Sequence, residues 1–118
     1  MAIYDDELAV IELLFAAFEN NVEGVRTLVA KGVPVHAGDY DSRTALHLAA
    51  AEGCLDVVEY LVTHGHPLFV RDRWGATPLD EAKREKRKSV INYLKDFNWT
   101  IFLKLNKYFN NYNTFRIQ

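Results

Sequence analysis

The sequence returns on itself every 33 residues. Asp39-Tyr40-Asp41-Ser42-Arg43-Thr44-Ala45-Leu46-His47-Leu48-Ala49-Ala50 comes back as Asp72-Arg73-Trp74-Gly75-Ala76-Thr77-Pro78-Leu79-Asp80-Glu81-Ala82-Lys83. Val57-Val58-Glu59-Tyr60-Leu61 likewise falls on Val90-Ile91-Asn92-Tyr93-Leu94. One period earlier lies a worn copy, with Asp6, Leu13, Ala16, Ala17, Val25, Leu28 and Gly32 under Asp39, Leu46, Ala49, Ala50, Val58, Leu61 and Gly65. A fixed interval of this length is one supersecondary unit repeated. A single unit cannot bury its own apolar face, so consecutive units must stack. Such a stack is first a surface for holding something.

Each unit reads as turn, helix, tight turn, helix and an outgoing loop. Thr44 precedes the run from Ala45 to Glu52, where a threonine can cap the free amides of a helix start. Thr77 is followed by Pro78, whose missing N–H costs nothing at a first helical position. Alanines 49, 50, 51 and 82 allow close approach of neighbouring helices, and Gly53 supplies the left-handed residue that ends the first helix. The next helix is expected from Leu55 to about His64, with Leu55, Val58, Leu61 and Val62 on its apolar face and Gly65 as its stop.

This pattern resembles the ankyrin repeat, whose turn and first helix read Asp-x-x-Gly-x-Thr-Pro-Leu-His-x-Ala-Ala. The middle unit matches nearly in full, with Ser42 for glycine and Ala45 for proline. In the third unit Asp80 stands in the histidine position and Lys86 in the glycine position. A lysine in the left-handed region is mildly strained, so an irregular turn is expected there. The first unit has Ile11-Glu12 for Thr-Pro and Asn20 for glycine. The resemblance implies an all-α ankyrin-repeat solenoid of three units, at about 6–38, 39–71 and 72–98, with short turn or hairpin tips and a domain over 1–98.

In that fold the turn tips point to one side and the first helices line a concave face. The resemblance therefore nominates Tyr40, Asp41, Arg43, Arg73 and Trp74 at the tips, and Glu52 and Arg84 on the helices, as partner-binding residues. Ala51, Ala76 and Glu85 belong to the same face. Tyrosine, tryptophan and arginine are enriched among interface anchors. Trp74 has two readings: it packs on Phe69 or the neighbouring tip, or it meets a partner. His47 reads as the histidine that bonds backbone between units.

Two runs go beyond the generic repeat. Asp39 to Gly53 and Asp72 to Ala82 look like the C-terminal ankyrin region of animal phosphate-activated glutaminases, and Leu13-Leu14-Phe15-Ala16-Ala17-Phe18 resembles its beginning. The similarity covers about residues 11–97. It implies a mitochondrial or cytosolic amidohydrolase whose catalytic domain precedes this module. Such enzymes use a serine with a lysine three positions on, and neither Ser42 nor Ser89 has a lysine at that spacing. No catalytic residue carries over, so the chain is expected to regulate, tether or assemble rather than hydrolyse glutamine. The alternative is a free-standing ankyrin adaptor or inhibitor.

Composition narrows the remaining classes. The 118 residues are one domain by length, 49% apolar and 25% charged. The longest apolar runs fall far short of the roughly 20 residues that cross a bilayer, and the acidic start is no secretory or transit leader. An intracellular protein with no membrane partner is expected. One cysteine, Cys54, excludes an internal disulfide and a cysteine zinc site. Cys54 opens a helix, where the dipole can favour a thiolate, or it fills the slot of the usual repeat histidine. His64 and His66 lack a third ligand, so neither a metal nor another cofactor is expected.

The net charge of −2 hides a gradient of −4 over 1–38, −3 over 39–71 and +5 over 72–118. Head-to-tail self-association, anion binding at one end, or an uneven solvated surface all fit it. Lys83, Arg84, Lys86, Arg87 and Lys88 are interleaved with Glu81 and Glu85, and no nucleic-acid motif accompanies them. They read as solvated charge or a contact for an acidic protein, with no nucleic acid expected. Beyond Asn98 the repeat stops. In the aromatic, Asn-rich segment 99–118, Phe102, Leu105, Phe109 and Tyr112 fall at helical spacing. A capping helix, a partner-binding peptide or a non-native or alternatively spliced end all fit.

Overall fold

In the computed structural model, which describes residues 6–97, the chain forms α1 (Glu7–Phe18), α2 (Val22–Ala30), α3 (Ala45–Glu52), α4 (Leu55–Thr63) and α5 (Pro78–Arg84). Residues 88–97 are also helical and are called α6. The capping segment considered for 99–118 lies outside the described residues, as do residues 1–5. Among the described residues there is no strand, only an isolated bridge between Gly38 and Thr44. The helices pair as α1–α2 and α3–α4, α6 adds Val90 and Leu94 to the same core, and the inner helices α1, α3 and α5 stand side by side.

The inner helices begin where their caps say they should. Thr44 accepts from the backbone N–H of His47 at 3.4 Å, and Thr77 accepts from that of Asp80 at 3.2 Å. The side chains of His47 and Asp80 reach back to the cap N–H groups, closing a capping box in both units. Asp6 does the first half of this work for α1, accepting from Ala9 N–H at 3.0 Å.

All three inner helices end in the same turn. Asn20, Gly53 and Lys86 take φ of 57°, 76° and 59°. In each case the next N–H returns to a carbonyl five residues back, over 2.8 Å from Asn21 to Ala16, 2.8 Å from Cys54 to Ala49 and 2.9 Å from Arg87 to Ala82. The irregular turn expected at Lys86 is therefore not found. Its left-handed cost is met by the same backbone bonds that serve the glycine turn.

Stacking places the alanines and branched residues inside. Ala17, Ala45, Ala49, Ala50 and Ala82 are fully buried, with Leu13, Leu46, Leu61, Val25, Val58 and Val90 between them. On α4 the sequence reading needs one addition. The apolar face of the helix also takes in Val57, which is fully buried, while Leu55, its first residue, packs partly buried against the core. Small residues on the inner helices let the backbones draw together, so each unit supplies one wall of its neighbour's interior.

Candidate functional site

In the middle and last units the turn tip is built by one aspartate. Asp39 Oδ1 accepts from Asp41 N–H at 2.9 Å and Arg43 N–H at 3.0 Å. Asp72 Oδ1 accepts from Trp74 N–H and Ala76 N–H, both at 2.9 Å. The middle tip completes its turn with Ser42 at φ 60°, and the last with Gly75 at φ 86°. The two tips are joined directly: Arg73 N–H donates to the Asp41 carbonyl at 2.8 Å, and its guanidinium meets the Asp41 carboxylate at 3.2 Å.

Behind the tips, two further bonds cross from the middle unit to the last. His47 Nδ1 accepts from Thr44 N–H at 3.2 Å, which leaves the proton on Nε2 for the Ala76 carbonyl at 2.7 Å. Arg87 Nε donates to the Ala51 carbonyl at 2.9 Å. One unit earlier the Cys54 thiol occupies the equivalent place, 3.5 Å from the Phe18 carbonyl. Burial, and then the nearby Glu52, push that thiol up from its usual range. Cys54 is thus a buried spacer between units, without the thiolate character a helix start can confer.

Between the tips and the inner helices runs a groove of about 550 Å³. Of the residues nominated from the sequence, it brings together Arg43, Glu52, Trp74 and Arg84. Tyr40, Asp41 and Arg73 are not among its walls; Tyr40 is 96% exposed on the outer side of its tip. Trp74 is 67% exposed and Phe69 remains exposed as well. Arg73 lies over the indole, its guanidinium carbon 5.8 Å from the ring centroid. The groove also takes Phe18, Leu48 and Glu81, which sequence reasoning did not single out. The repeat carried the signal: Phe18, Ala51 and Arg84 are one period apart, as are Leu48 and Glu81.

The charges in the groove are unequal. Arg43 turns to Asp39 at 3.0 Å, and Arg84 serves both Glu81 and Glu85. Among the described residues Glu52 takes part in no ion pair. The outer helices present a second surface, where Arg26 lies 5.0 Å from the Tyr60 ring centroid and Tyr60 stacks on His64.

Comparison with known proteins agrees with this architecture. A family described as ankyrin repeats (3 copies) matches residues 13–103. The mitochondrial liver isoform of glutaminase is 52% identical over 44 residues in Rattus norvegicus and 50% identical over 44 residues in Mus musculus. Each match takes in 37% of this chain and 7% of the relative. Serine/threonine-protein kinase 12 of Arabidopsis thaliana is 40% identical over 43 residues, 36% of this chain and 9% of the kinase. The chain thus matches less than a tenth of the length of these curated relatives. Among the described residues no helix is long and apolar enough to cross a membrane.

Proposed function

This chain belongs to the ankyrin-repeat family, and we propose that it holds a protein partner in the groove between its tips and its inner helices. The observation that carries this reading is the convergence of Trp74, Arg43, Glu52 and Arg84 on one groove with apolar Phe18 and Leu48. An exposed indole beside charged groups and apolar side chains is the composition of an interface anchor. Tyr40, Asp41 and Arg73 extend the contact along the outer tips.

The module serves as the non-catalytic part of a glutaminase-like amidohydrolase, whose reaction turns glutamine and water into glutamate and ammonia. It regulates, tethers or helps assemble that enzyme, in the mitochondrion or the cytosol. The similarity to the two liver glutaminases supports this parentage. A free-standing adaptor or inhibitor is the second reading. It is favoured by the plant kinase, in which a stretch of nearly the same length is matched beside different chemistry.

Immobilised protein should capture a partner from tissue extract, and Trp74→Ala with Arg43→Ala should weaken capture while leaving the helical circular dichroism unchanged. Loss of helicity in the double variant would make these residues structural and remove them from the site. The two parentages separate on the coding sequence upstream of Met1. A serine–lysine amidohydrolase domain there supports the first, and an untranslated leader the second.

A further inference from the structure

The groove has a direction written into its charge. Glu19, Glu52 and Glu85 recur at the same position of successive units, each at the C-terminal end of an inner helix. A carboxylate there opposes the negative end of the helix dipole, at a cost of roughly 0.3–1 kcal/mol each. One cation within the groove meets the row, and only at Glu85. Arg43 is engaged by Asp39, and the one guanidinium of Arg84 is shared between Glu81 and Glu85. Among the described residues Glu19 and Glu52 form no ion pair. Alongside the row lie the apolar side chains of Phe18 and Leu48 and, at its end, the exposed indole of Trp74.

We propose that the groove takes an extended basic segment of a partner protein, with cationic side chains at every third residue laid along Glu52 and Glu85 in the groove and Glu19 beyond its Phe18 edge. This rests on the partner-binding reading of the groove. Packed helices stand roughly 8–10 Å apart, which sets the spacing of the row. A polyproline II strand rises about 3.1 Å per residue with three residues per turn, so every third side chain returns to one face after about 9 Å. A flat β-strand does not fit, since its third residue points to the opposite face. Intervening apolar side chains meet Phe18 and Leu48, beside the exposed indole of Trp74.

The experiment uses the full chain carrying Trp99→Phe, so that Trp74 is the sole indole reporter. The probe is a short capped peptide with arginine at every third position between alanine and leucine. Its controls have the same composition with the arginines consecutive, or glutamate in place of arginine. The spaced peptide should change Trp74 emission saturably and bind most tightly. Glu52→Gln with Glu85→Gln should weaken it about fivefold, the scale of exposed ion pairs. Glu59→Gln on the outer helices should leave binding unchanged. Equal binding of the consecutive peptide, or no effect of the double substitution, overturns the proposal. A gain in affinity on neutralising Lys104, Lys107 and Arg116 would put the chain's own C-terminal segment in the groove and overturn the external partner. If no basic peptide binds while Trp74→Ala still abolishes partner capture, the groove remains a docking site and only its basic occupant is lost.

Discussion

His47 Nε2 stands 2.7 Å from the carbonyl oxygen of Ala76, a residue 29 positions further along and in the next unit. The same imidazole accepts from Thr44 N–H through Nδ1, so one side chain closes its own helix and holds the following tip. His47→Phe should strand both backbone groups in an almost fully buried place. The expected loss is about 3 kcal/mol, since each unpaired buried group costs roughly 1–3 kcal/mol. Urea denaturation measures it. A midpoint unchanged from the parent would mean that the bond contributes nothing.

The turn between α3 and α4 and its counterpart after α5 predict opposite signs for opposite substitutions. Lys86 sits at φ 59°, and Lys86→Gly should raise stability by about 1 kcal/mol by lifting left-handed strain. Gly53→Ala should lower it by at least as much. Beyond its φ of 76°, a new Cβ would come within 3.0 Å of Arg87 Cδ and disturb the Arg87 bond to Ala51. Thermal melts of the two variants should move apart, and a shift in the same direction would contradict this account.

His66 is buried where the first unit has Val33, and its Nε2 finds no partner among the described residues. Burial pushes its pKa down to about 4 from 6.5, opposed by the Pro67 carbonyl bonded to Nδ1 and helped by His36 and His47 nearby. Between pH 6.5 and about 4 the unfolded chain binds a proton that the folded protein refuses. The contribution of this site is therefore complete above pH 6.5 and is lost as pH falls toward 4, by roughly 3 kcal/mol. His66→Val should raise stability near neutrality by about 1 kcal/mol and flatten the pH slope. Identical slopes for the two proteins would refute the assignment.

Cys54 should alkylate slowly in the folded protein, because it is buried and its thiol is held protonated. Iodoacetamide labelling followed by mass spectrometry should show strong acceleration in denaturant. Native labelling as fast as that of a free thiol would return Cys54 to the list of reactive groups.

Much of this fold was legible in advance because its causes are local. Thr44, Pro78 and Gly53 act within one turn of the backbone, so their types alone announce helix starts and a stop. The Lys86 turn misled because residue type reports strain but not the two backbone bonds that offset it. The site was legible only in part. Generic repeat geometry grouped Arg43, Glu52, Trp74 and Arg84 with Tyr40, Asp41 and Arg73; the structure gathers the first four in one groove and leaves the other three on the tips. Phe18 escaped notice because the first unit is the most worn copy. Only counting back from Arg84 through Ala51 reaches it.

The ties between units are short rungs: Asp41 to Arg73, His47 to Ala76, Ala51 to Arg87, Phe18 to Cys54 and Asn20 to Val57. Each rung fastens one step to the next and none of them bridges two. Pulled from its ends, a ladder made this way would surrender length in instalments, giving up one step while the others still hold.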